Sequence, residues 1–371
     1  MKKVLIICRF DSIFHTELEK NLIQNGINVR RLVTRSFNNN QKKDIRRINR
    51  YIKKAKFKNI INSLSLVLFL LKAKEEIINL HFIDKKTSNL LYLVSCLVNK
   101  KIILTFYGSD FYRINNSSRV KLEKIIKRSY KINFTNKKTK EEFDLFFDYK
   151  YSNKLFVVRF GLKNLEVIKL VMKKSNKILI KEKIHIPPEK IVVTCGYGAI
   201  KEHQHEKIIK ELIKLNWNIK NKCIFLFPMT YGYDKEKRIK KIKKILEKTN
   251  LEYIILAEFL TGEDLANIRI CTDIMINLQT TDQFSGSMTE HIFAGSYIIA
   301  GKWLPYDTLL EMGISSIFQI DSFYELNEKL TELISKIGKS INEEKILKNQ
   351  EIIWYLASWK RNIIKWLELY E

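Results

Sequence analysis

The chain alternates short apolar runs with longer segments of helical spacing, in two successive series separated by a lysine-rich stretch. The runs of the first series cover residues 3–8, 77–82, 101–108, 131–136 and 155–161, and those of the second cover 190–198, 222–232, 251–259, 272–279, 296–301 and 315–320. Strands that alternate with helices form parallel sheets with helices on both faces. The sequence therefore predicts an α/β protein made of two Rossmann-like, doubly wound parallel-sheet domains.

The positions of these runs divide the 371 residues into four predicted parts. They are an N-terminal domain (1–162), an interdomain crossing (163–189), a C-terminal domain (190–345) and a terminal helix (346–371). The terminal segment carries apolar residues on one helical face, namely Ile352, Tyr355, Trp359, Ile363 and Trp366. We predict one long helix that packs back across the domains. Ligands of open parallel sheets lie beyond the carboxyl ends of the strands, so we expect the site in a cleft that both sheets face.

The chain is strongly basic, because 67 lysines and arginines against 40 acidic residues give a formal net charge of +27. This charge favours an anionic partner, and compositional bias toward Lys, Ile and Asn is the plain alternative. Residues 42–58 hold nine basic side chains and one acidic one, with a narrow apolar stripe. They predict a helix on an anionic membrane surface, with a solvated helix as the alternative. Nucleic acid is disfavoured, because no binding module is recognised and the aromatic residues do not interleave with the basic ones.

The sequence lacks the signatures of several other classes. The five cysteines form no C-x-x-C pair and lie mostly in apolar runs, which indicates reduced thiols in a cytoplasmic protein. The apolar run 4–8 is too short for a signal sequence, and no run reaches the ~18 residues of a spanning helix. Phosphate-loop NTPases and nicotinamide enzymes are disfavoured, since neither G-x-x-x-x-G-K-[ST] nor G-x-G-x-x-G occurs in the sequence. No two aspartates lie two apart, so we predict no D-x-D metal clamp.

Two carboxylates and a Ser-Gly-Ser corner lie at the mouth of one predicted strand–turn–helix unit, TTDQFSGSMTEHIFAGSYIIAG. Ser285 can cap the helix, and the free N–H groups at Gly286 and Ser287 attract a phosphate. Gly286 also leaves room for close backbone approach. Glu290 is placed to accept hydrogen bonds from the vicinal hydroxyls of a ribose, and Asp282 to meet sugar hydroxyls. The alternative is that Glu290 only complements the helix dipole and Asp282 is a solvated turn acid.

Two more strand ends of the second series carry polar candidates. In GYGAIKEHQHEK, Lys201, His203 and His205 offer donors to a diphosphate leaving group, on which charge builds during bond cleavage. The histidines have no third metal ligand at a convincing spacing, and we favour a solvated pair at a helix start over a metal site. In FPMTYGY, Thr230 and Tyr231 are candidates to line a nucleotide pocket. The alternative is that this segment only ends the strand and has no binding role.

One carboxylate stands out in the first series. In YGSDFYR, the Gly108-Ser109 turn projects Asp110 beyond a strand end. There it would act as a general base toward an acceptor hydroxyl. As a helix-capping aspartate it needs no function, so both interpretations stay open.

The spacing of the second-series motif resembles a known glycosyltransferase signature. The segment DQFSGSMTE, followed by FAGSYIIAG, resembles the E-x7-E segment of GT-B glycosyltransferases, with Asp282 where those enzymes usually carry Glu. NLHF (79–82) and LTFYGSDFYR (104–113) resemble acceptor-domain strands of bacterial lipid-linked-sugar transferases. Residues 193–215 and 225–232 resemble the donor domain of the N-acetylfucosamine (4-acetamido-4,6-dideoxygalactose) transferase family. Enzymes of that family invert the anomeric configuration of the transferred sugar, whereas E-x7-E enzymes usually retain it. The stereochemistry of the reaction therefore stays open.

The resemblance implies a metal-independent glycosyltransferase of GT-B fold, without a cofactor, that works in bacterial surface polysaccharide synthesis. The first domain would bind a polyprenyl-diphosphate-linked saccharide on the inner face of the cell membrane, and the second a nucleoside-diphosphate sugar. Residues assigned to nucleotide-sugar binding are Gly198, Thr230, Tyr231, Ser285, Gly286, Ser287 and Glu290, and those assigned to catalysis are Asp110, Lys201, His205 and Asp282. The alternatives are a GT-B-like epimerase or phosphorylase and, more distantly, a basic nucleic-acid-binding protein.

Overall fold

The computed structural model describes residues 2–9, 11–34, 66–112, 114–232, 234–282, 284–337 and 343–371. The basic segment 42–58, with its predicted membrane-facing helix, lies outside these residues. The chain divides into two compact units, the first made of Met1–Gly161 and Trp359–Glu371 and the second of Leu162–Ser358. In the described parts of the chain, no helix has the length and apolar character needed to cross a bilayer.

The first unit is built on a six-stranded parallel sheet. Its strands are β1 Lys3–Cys8, β2 Asn28–Val33, β3 Ile77–His81, β4 Lys101–Phe106, β5 Lys131–Phe134 and β6 Leu155–Val157. They pair in the order β2-β1-β3-β4-β5-β6. Alternate residues of β1 enter two separate apolar clusters, Leu5 and Ile7 on one face and Val4 and Ile6 on the other. The sheet is therefore covered on both faces, which explains why its central strands are continuous apolar runs.

The second unit repeats this plan with another six-stranded parallel sheet. Its strands are β7 Ile191–Cys195, β8 Cys223–Pro228, β9 Tyr253–Leu256, β10 Ile274–Asn277, β11 Tyr297–Gly301 and β12 Ile317–Ile320. The order is β12-β11-β10-β7-β8-β9, so the direction of winding reverses between β7 and β10. In the first sheet the corresponding reversal lies between β1 and β3. These two architectures confirm the predicted pair of doubly wound parallel sheets.

Helices connect the strands in both units. Those of the first unit are α1 Ile13–Gln24, α2 Lys85–Leu97, α3 Ser109–Tyr112, α4 Asn116–Arg128 and α5 Lys137–Phe146, with residues 66–72 also helical. Those of the second unit are α6 Asn164–Lys174, α7 Lys177–Lys183, α8 His205–Leu212, α9 Trp217–Lys220, α10 Lys235–Leu246, α11 Gly262–Cys271, α12 Gly286–Phe293, α13 Asp307–Glu311, α14 Leu326–Lys336 and α15 Glu343–Ala357. A last helix, α16 Trp359–Leu369, returns to the first unit. Helices α1 and α2 are capped by the side chains of Ser12 and Asp84, as their polar residue types favour.

The residues predicted as an interdomain crossing, 163–189, instead form part of the second unit. Helices α6 and α7 supply Leu165, Ile168 and Ile180 to an apolar cluster that also contains Val192 of β7 and Met275 of β10. Their apolar spacing serves the core, so the lysine-rich composition describes only their solvent-facing sides.

The prediction of one long terminal helix is wrong. Helix α15 ends at Ala357 and α16 begins at Trp359, with the division between the two units after Ser358. The Ala357 carbonyl accepts a hydrogen bond from the Leu162 backbone N–H at 2.7 Å, which gives this carbonyl a partner outside the helix. Trp359 packs on the Cα of Gly161, where an added Cβ would lie 2.4 Å from the indole Cγ. The apolar stripe is therefore divided between two helices that belong to different units.

Candidate functional site

The loops that follow β7 and β10 meet at the point where the second sheet reverses its winding. In open α/β sheets this switch point, outside the carboxyl ends of the strands, is where ligands bind. The Thr280 N–H donates to the Glu202 carbonyl at 2.9 Å, and Gln204 Nε2 donates to the Leu278 carbonyl at 2.8 Å. The two loops, 196–204 and 278–285, are thereby tied to each other, and they carry the predicted site residues Gly198, Lys201, Asp282 and Ser285.

Ser285 begins helix α12 as predicted. Its Oγ accepts a hydrogen bond from the Met288 N–H at 3.1 Å, which satisfies one free donor of the first turn. Gly286 faces Leu162, because an added Cβ would lie 3.2 Å from Leu162 Cδ2. The Ser287 Oγ is buried and makes no hydrogen bond within the described residues.

Glu290 forms a buried ion pair with Arg269 of helix α11. The Arg269 Nε donates to Glu290 Oε2 at 2.8 Å, and the two side chains are only 8% and 10% exposed. Glu290 therefore has a specific cationic partner in addition to the helix dipole. Sequence reasoning missed Arg269, which lies in a predicted helix without a marked function; its one signal is a charge inside the apolar stretch LANIRIC.

Asp282 is held by a buried tyrosine. The Tyr306 hydroxyl donates a short hydrogen bond to Asp282 Oδ2 and accepts another from Asn277 Nδ2 at 2.7 Å. Burial raises the pKa of Tyr306 well above its ordinary value, and the Asp282 carboxylate raises it further, so the phenol stays protonated as a donor. The interpretation of Asp282 as a plain solvated turn acid is therefore wrong.

A second polar chain lies beside the first. Gln279 Nε2 donates to the Tyr197 hydroxyl at 2.9 Å and to Asn277 Oδ1 at 3.2 Å. The Tyr197 hydroxyl also hydrogen-bonds with the Ser285 side chain. These contacts connect the end of β7, the end of β10 and the start of α12 into one network at the switch point.

Tyr231, in the loop after β8, lies over Gly198 of the loop after β7. An added Cβ on Gly198 would be 3.0 Å from Tyr231 Cζ, and the Ala199 N–H donates to the Tyr231 carbonyl at 2.7 Å. Tyr231 is 43% exposed, and partial desolvation of its phenol raises its pKa to about 12, with Arg269 lowering it and Asp282 and Glu290 raising it. The structure thus brings Gly198, Tyr231, Asp282, Ser285 and Glu290 into one neighbourhood. Thr230 is half-buried in the same loop as Tyr231.

The expectation of a solvated histidine pair is wrong. Lys201 is exposed, whereas His203 and His205 are 1% and 0% exposed. His203 packs against the Tyr197 ring at 4.2 Å, and Gly196, with φ of +67°, folds the loop over both imidazoles. Neither ring meets a hydrogen-bond partner of good geometry within the described residues, although the Cys195 backbone lies beside His205. Within the described ranges, no group of three or more His, Cys, Asp or Glu side chains is placed to hold a metal ion.

Asp110, in the first unit, accepts hydrogen bonds from the backbone. Its Oδ2 accepts from the Ile83 N–H at 2.8 Å and its Oδ1 from the Tyr107 N–H at 2.9 Å. Burial raises the pKa of Asp110 to about 6, against the lowering effect of these and neighbouring backbone donors. Both donors lie outside helix α3, so Asp110 joins the ends of β3 and β4 and does not cap the helix. The general-base role stays a prediction to which no contact within the first unit lends support.

An uncharged polar cluster occupies the reversal point of the first sheet, and sequence reasoning missed it. The Tyr107 hydroxyl lies 2.9 Å from His15 Nε2 and 3.1 Å from His81 Nδ1, and the Ser12 hydroxyl lies 2.7 Å from His15 Nδ1. Burial lowers the pKa of His15 to about 4 and that of His81 well below its ordinary value. Phe160 lies beside these rings, 5.6 Å from that of Tyr107. The available signal was His81 at a strand end, inside the NLHF segment.

Acidification is expected to destabilise the protein. Burial lowers the pKa of His203 to about 3 and that of His205 to about 4, from 6.5. As the pH falls through 6.5 the unfolded chain binds protons on these imidazoles while the folded chain does not until about pH 4, so the free energy of unfolding decreases in that window. Each such histidine contributes up to about 1.4 kcal/mol per pH unit. Asp110 has the opposite effect, because its raised pKa makes the folded chain bind a proton more readily than the unfolded chain. One such group does not offset several buried histidines.

Urea unfolding at pH 7.5 and pH 5 would measure this slope. His205→Gln should flatten it, whereas replacement of the exposed His185 with Gln should leave it as in the wild type. Equal wild-type stability at the two pH values would contradict the expectation.

Comparison with known proteins identifies the fold. No family model and no curated protein matches the chain. Among solved structures, a glycosyltransferase from Rickettsia africae is 17% identical with a TM-score of 0.72, over 100% of this chain and 97% of that one. Sucrose-phosphate synthase from Thermosynechococcus elongatus is 11% identical with a TM-score of 0.74, over 100% and 98%. HepE of Anabaena, in complex with UDP, is 10% identical with a TM-score of 0.72, over 99% of each chain.

These likenesses extend over the whole chain at low identity, so they concern the fold. The two parallel sheets and their matches confirm the predicted GT-B fold. The narrower resemblance to the N-acetylfucosamine transferase family stays a prediction.

Proposed function

We propose that the protein is a glycosyltransferase that uses a nucleoside-diphosphate sugar to lengthen a polyprenyl-diphosphate-linked saccharide for a bacterial surface polysaccharide. The observation that carries the proposal is the pair of held carboxylates, Asp282 and Glu290, around Ser285 at the switch point of the second sheet. A relative of the same fold gives support, because HepE of Anabaena has been solved with UDP and with UDP-glucose.

In this proposal the second unit binds the donor. Glu290 accepts hydrogen bonds from the ribose, and the backbone N–H groups at the start of α12, from Ser285 to Ser287, meet the diphosphate. Lys201, exposed in the loop after β7, and Tyr231 lie in segments at the same sheet edge. Asp282, oriented by the hydrogen bond from Tyr306, meets hydroxyls of the donor sugar.

His205 cannot supply positive charge to the leaving diphosphate at neutral pH. Burial lowers its pKa to about 4, so the imidazole is neutral at pH 7. It would assist a leaving diphosphate only as a neutral N–H donor, and the positive charge would come from Lys201. No metal or cofactor takes part in the proposed transfer.

The first unit would bind the acceptor. Its switch-point cluster of Ser12, His15 and Tyr107 is uncharged and flanked by aromatic rings, which suits the hydroxyls and apolar faces of a sugar. Asp110 is kept as the proposed base only through the resemblance of its segment. The basic segment 42–58, outside the described residues, would hold the enzyme on the anionic inner face of the cell membrane.

A thermal-shift screen with UDP, TDP, GDP, CDP and ADP tests the donor site. A nucleotide at 100 times its dissociation constant is expected to add about 2.7 kcal/mol to the free energy of unfolding. Glu290→Ala should abolish the shift, and Glu263→Ala, on the exposed start of α11, should preserve it. The proposal fails if no nucleoside diphosphate shifts the folded wild type, or if Glu290→Ala responds like the wild type.

A further inference from the structure

The ion pair between Arg269 and Glu290 is costly to bury and uses only part of each group. Removing two charges from water costs several kcal/mol per ion, so such a pair is a weak source of stability. One hydrogen bond, from Nε to Oε2, joins the two side chains. Within the described residues, Glu290 Oε1 and the two Nη atoms of Arg269 make no other hydrogen bond, and none of these atoms is sealed from solvent.

The unused acceptor capacity defines what Glu290 can bind. An ionised carboxylate has about four lone-pair sites on its two oxygens, and Arg269 occupies one of them. Two O–H donors on adjacent carbons match the remaining sites, as the 2′ and 3′ hydroxyls of ribose do. A 2′-deoxyribose brings one donor fewer and leaves a nearly buried charge partly unsatisfied.

Arg269 fixes the direction of this carboxylate. The two residues lie on different helices, α11 and α12, so the contact is a tertiary one that helix α12 alone does not provide. Glu290 is only 7% exposed, and the guanidinium of Arg269, which is always charged, lies 2.8 Å from its carboxyl group. With Oε2 bound to Arg269, Oε1 remains for a ligand at the same sheet edge as Tyr231 and Asp282.

We propose that Arg269 is a positioning residue that holds Glu290 for the 2′,3′-diol of the donor, and that the donor is consequently a ribonucleoside diphosphate sugar, not a 2′-deoxyribonucleoside one. This inference rests on the proposed function and narrows its substrate class. It excludes thymidine diphosphate sugars, which the resemblance to the N-acetylfucosamine transferase family leaves open. A site built around a substrate hydroxyl discriminates strongly against the analogue that lacks it.

Isothermal titration of the purified full chain with UDP, ADP, GDP and CDP, each beside its 2′-deoxy counterpart, tests this. The wild type is expected to bind one ribonucleotide at least about tenfold more tightly than its deoxy form. Arg269→Gln should weaken ribonucleotide binding about tenfold and leave the deoxy form almost unchanged, so that the ratio approaches one. Arg269→Lys, which keeps the charge without the planar fork, should fall between them.

A matched control comes from the same unit. Lys181 and Asp273 form an ion pair of the same exposure, 8% and 10%, at the opposite edge of the sheet, where Asp273 directly precedes β10. Lys181→Gln should lower stability while keeping the wild-type ratio of ribonucleotide to deoxynucleotide affinity. This separates a loss of fold from a loss of positioning.

The outcomes separate the role of Arg269 from the proposed function. The role of Arg269 is overturned if nucleotides bind but Arg269→Gln and Arg269→Lys keep the wild-type ratio, or if the wild type binds both sugar forms equally. In either case nucleotide binding, and with it the proposed function, survives. Failure of every nucleotide to bind the wild type overturns both.

Discussion

Replacement of Glu290 with leucine is expected to lower the free energy of unfolding by about 3–5 kcal/mol, because the Arg269 guanidinium then stays buried without its partner. Both side chains are about nine-tenths buried, so solvent screens the stranded charge poorly. Urea unfolding at pH 7 measures the loss. A decrease below about 1 kcal/mol, which is the range of exposed ion pairs, would contradict the burial argument.

The double variant Arg269→Met/Glu290→Leu separates stability from function. Apolar replacement of a buried ion pair is often neutral or stabilising, so the double variant should recover most of the loss seen in Glu290→Leu. It should not recover nucleotide binding, since the acceptor for the ribose is gone. Nucleotide binding at wild-type strength in the double variant would remove Glu290 from the proposed donor site.

Trp366→Ala is expected to cost about 3–5 kcal/mol, the usual loss for a large aromatic side chain removed from a core. Trp366 is fully buried and stacks on His81, with ring centroids 5.7 Å apart. Its indole Nε1 donates to the Arg159 carbonyl at 3.0 Å, and the replacement removes that bond as well. Guanidinium unfolding of the variant, followed by circular dichroism, provides the measurement.

The matched control is Trp217→Ala, because Trp217 is 61% exposed in the short helix α9. Surface replacements of this kind usually stay within about 0.5 kcal/mol of the wild type. If Trp366→Ala cost no more than Trp217→Ala, helix α16 would not be part of the core of the first unit.

The strands were predictable wherever both faces of the sheet are covered, and the exception shows why. The sequence did not mark β2, NVRRLV, as a strand, because two arginines interrupt its apolar pattern. β2 is one of the two edge strands of the described sheet. Arg30 pairs with Glu75 at 2.6 Å, and Arg31 pairs with Asp11 at 2.7 Å. Charged side chains are common on edge strands, where they discourage pairing with further strands. A search for apolar runs therefore misses edge strands.

The candidate site was predictable only where its geometry is local. Ser285 caps helix α12 through the N–H of Met288, only three residues further along the chain, so its role follows from neighbouring sequence. Arg269 and Tyr306 lie 21 and 24 residues from the carboxylates they hold. Such contacts arise from the packing of α11 and of the chain after β11 at the switch point, and no residue spacing encodes them.

The prediction of one continuous terminal helix was wrong for a related reason. Helical spacing of apolar residues continues from Ile352 to Trp366 and predicts one element. The end of α15 is set by the bond from Leu162 to the Ala357 carbonyl, a contact between residues far apart in the chain. Periodicity reports which face is apolar, and it does not report which core that face enters.

The place of α16 has a consequence for biosynthesis. The apolar cluster that contains Val4, Ile6 and Leu18 also includes Trp366 and Tyr370. A ribosome therefore has to translate the whole intervening second unit before the amino-terminal half receives its last packing element. A chain that stops near position 358 would contain the whole second unit but lack α16, so the core of the first unit would remain incomplete.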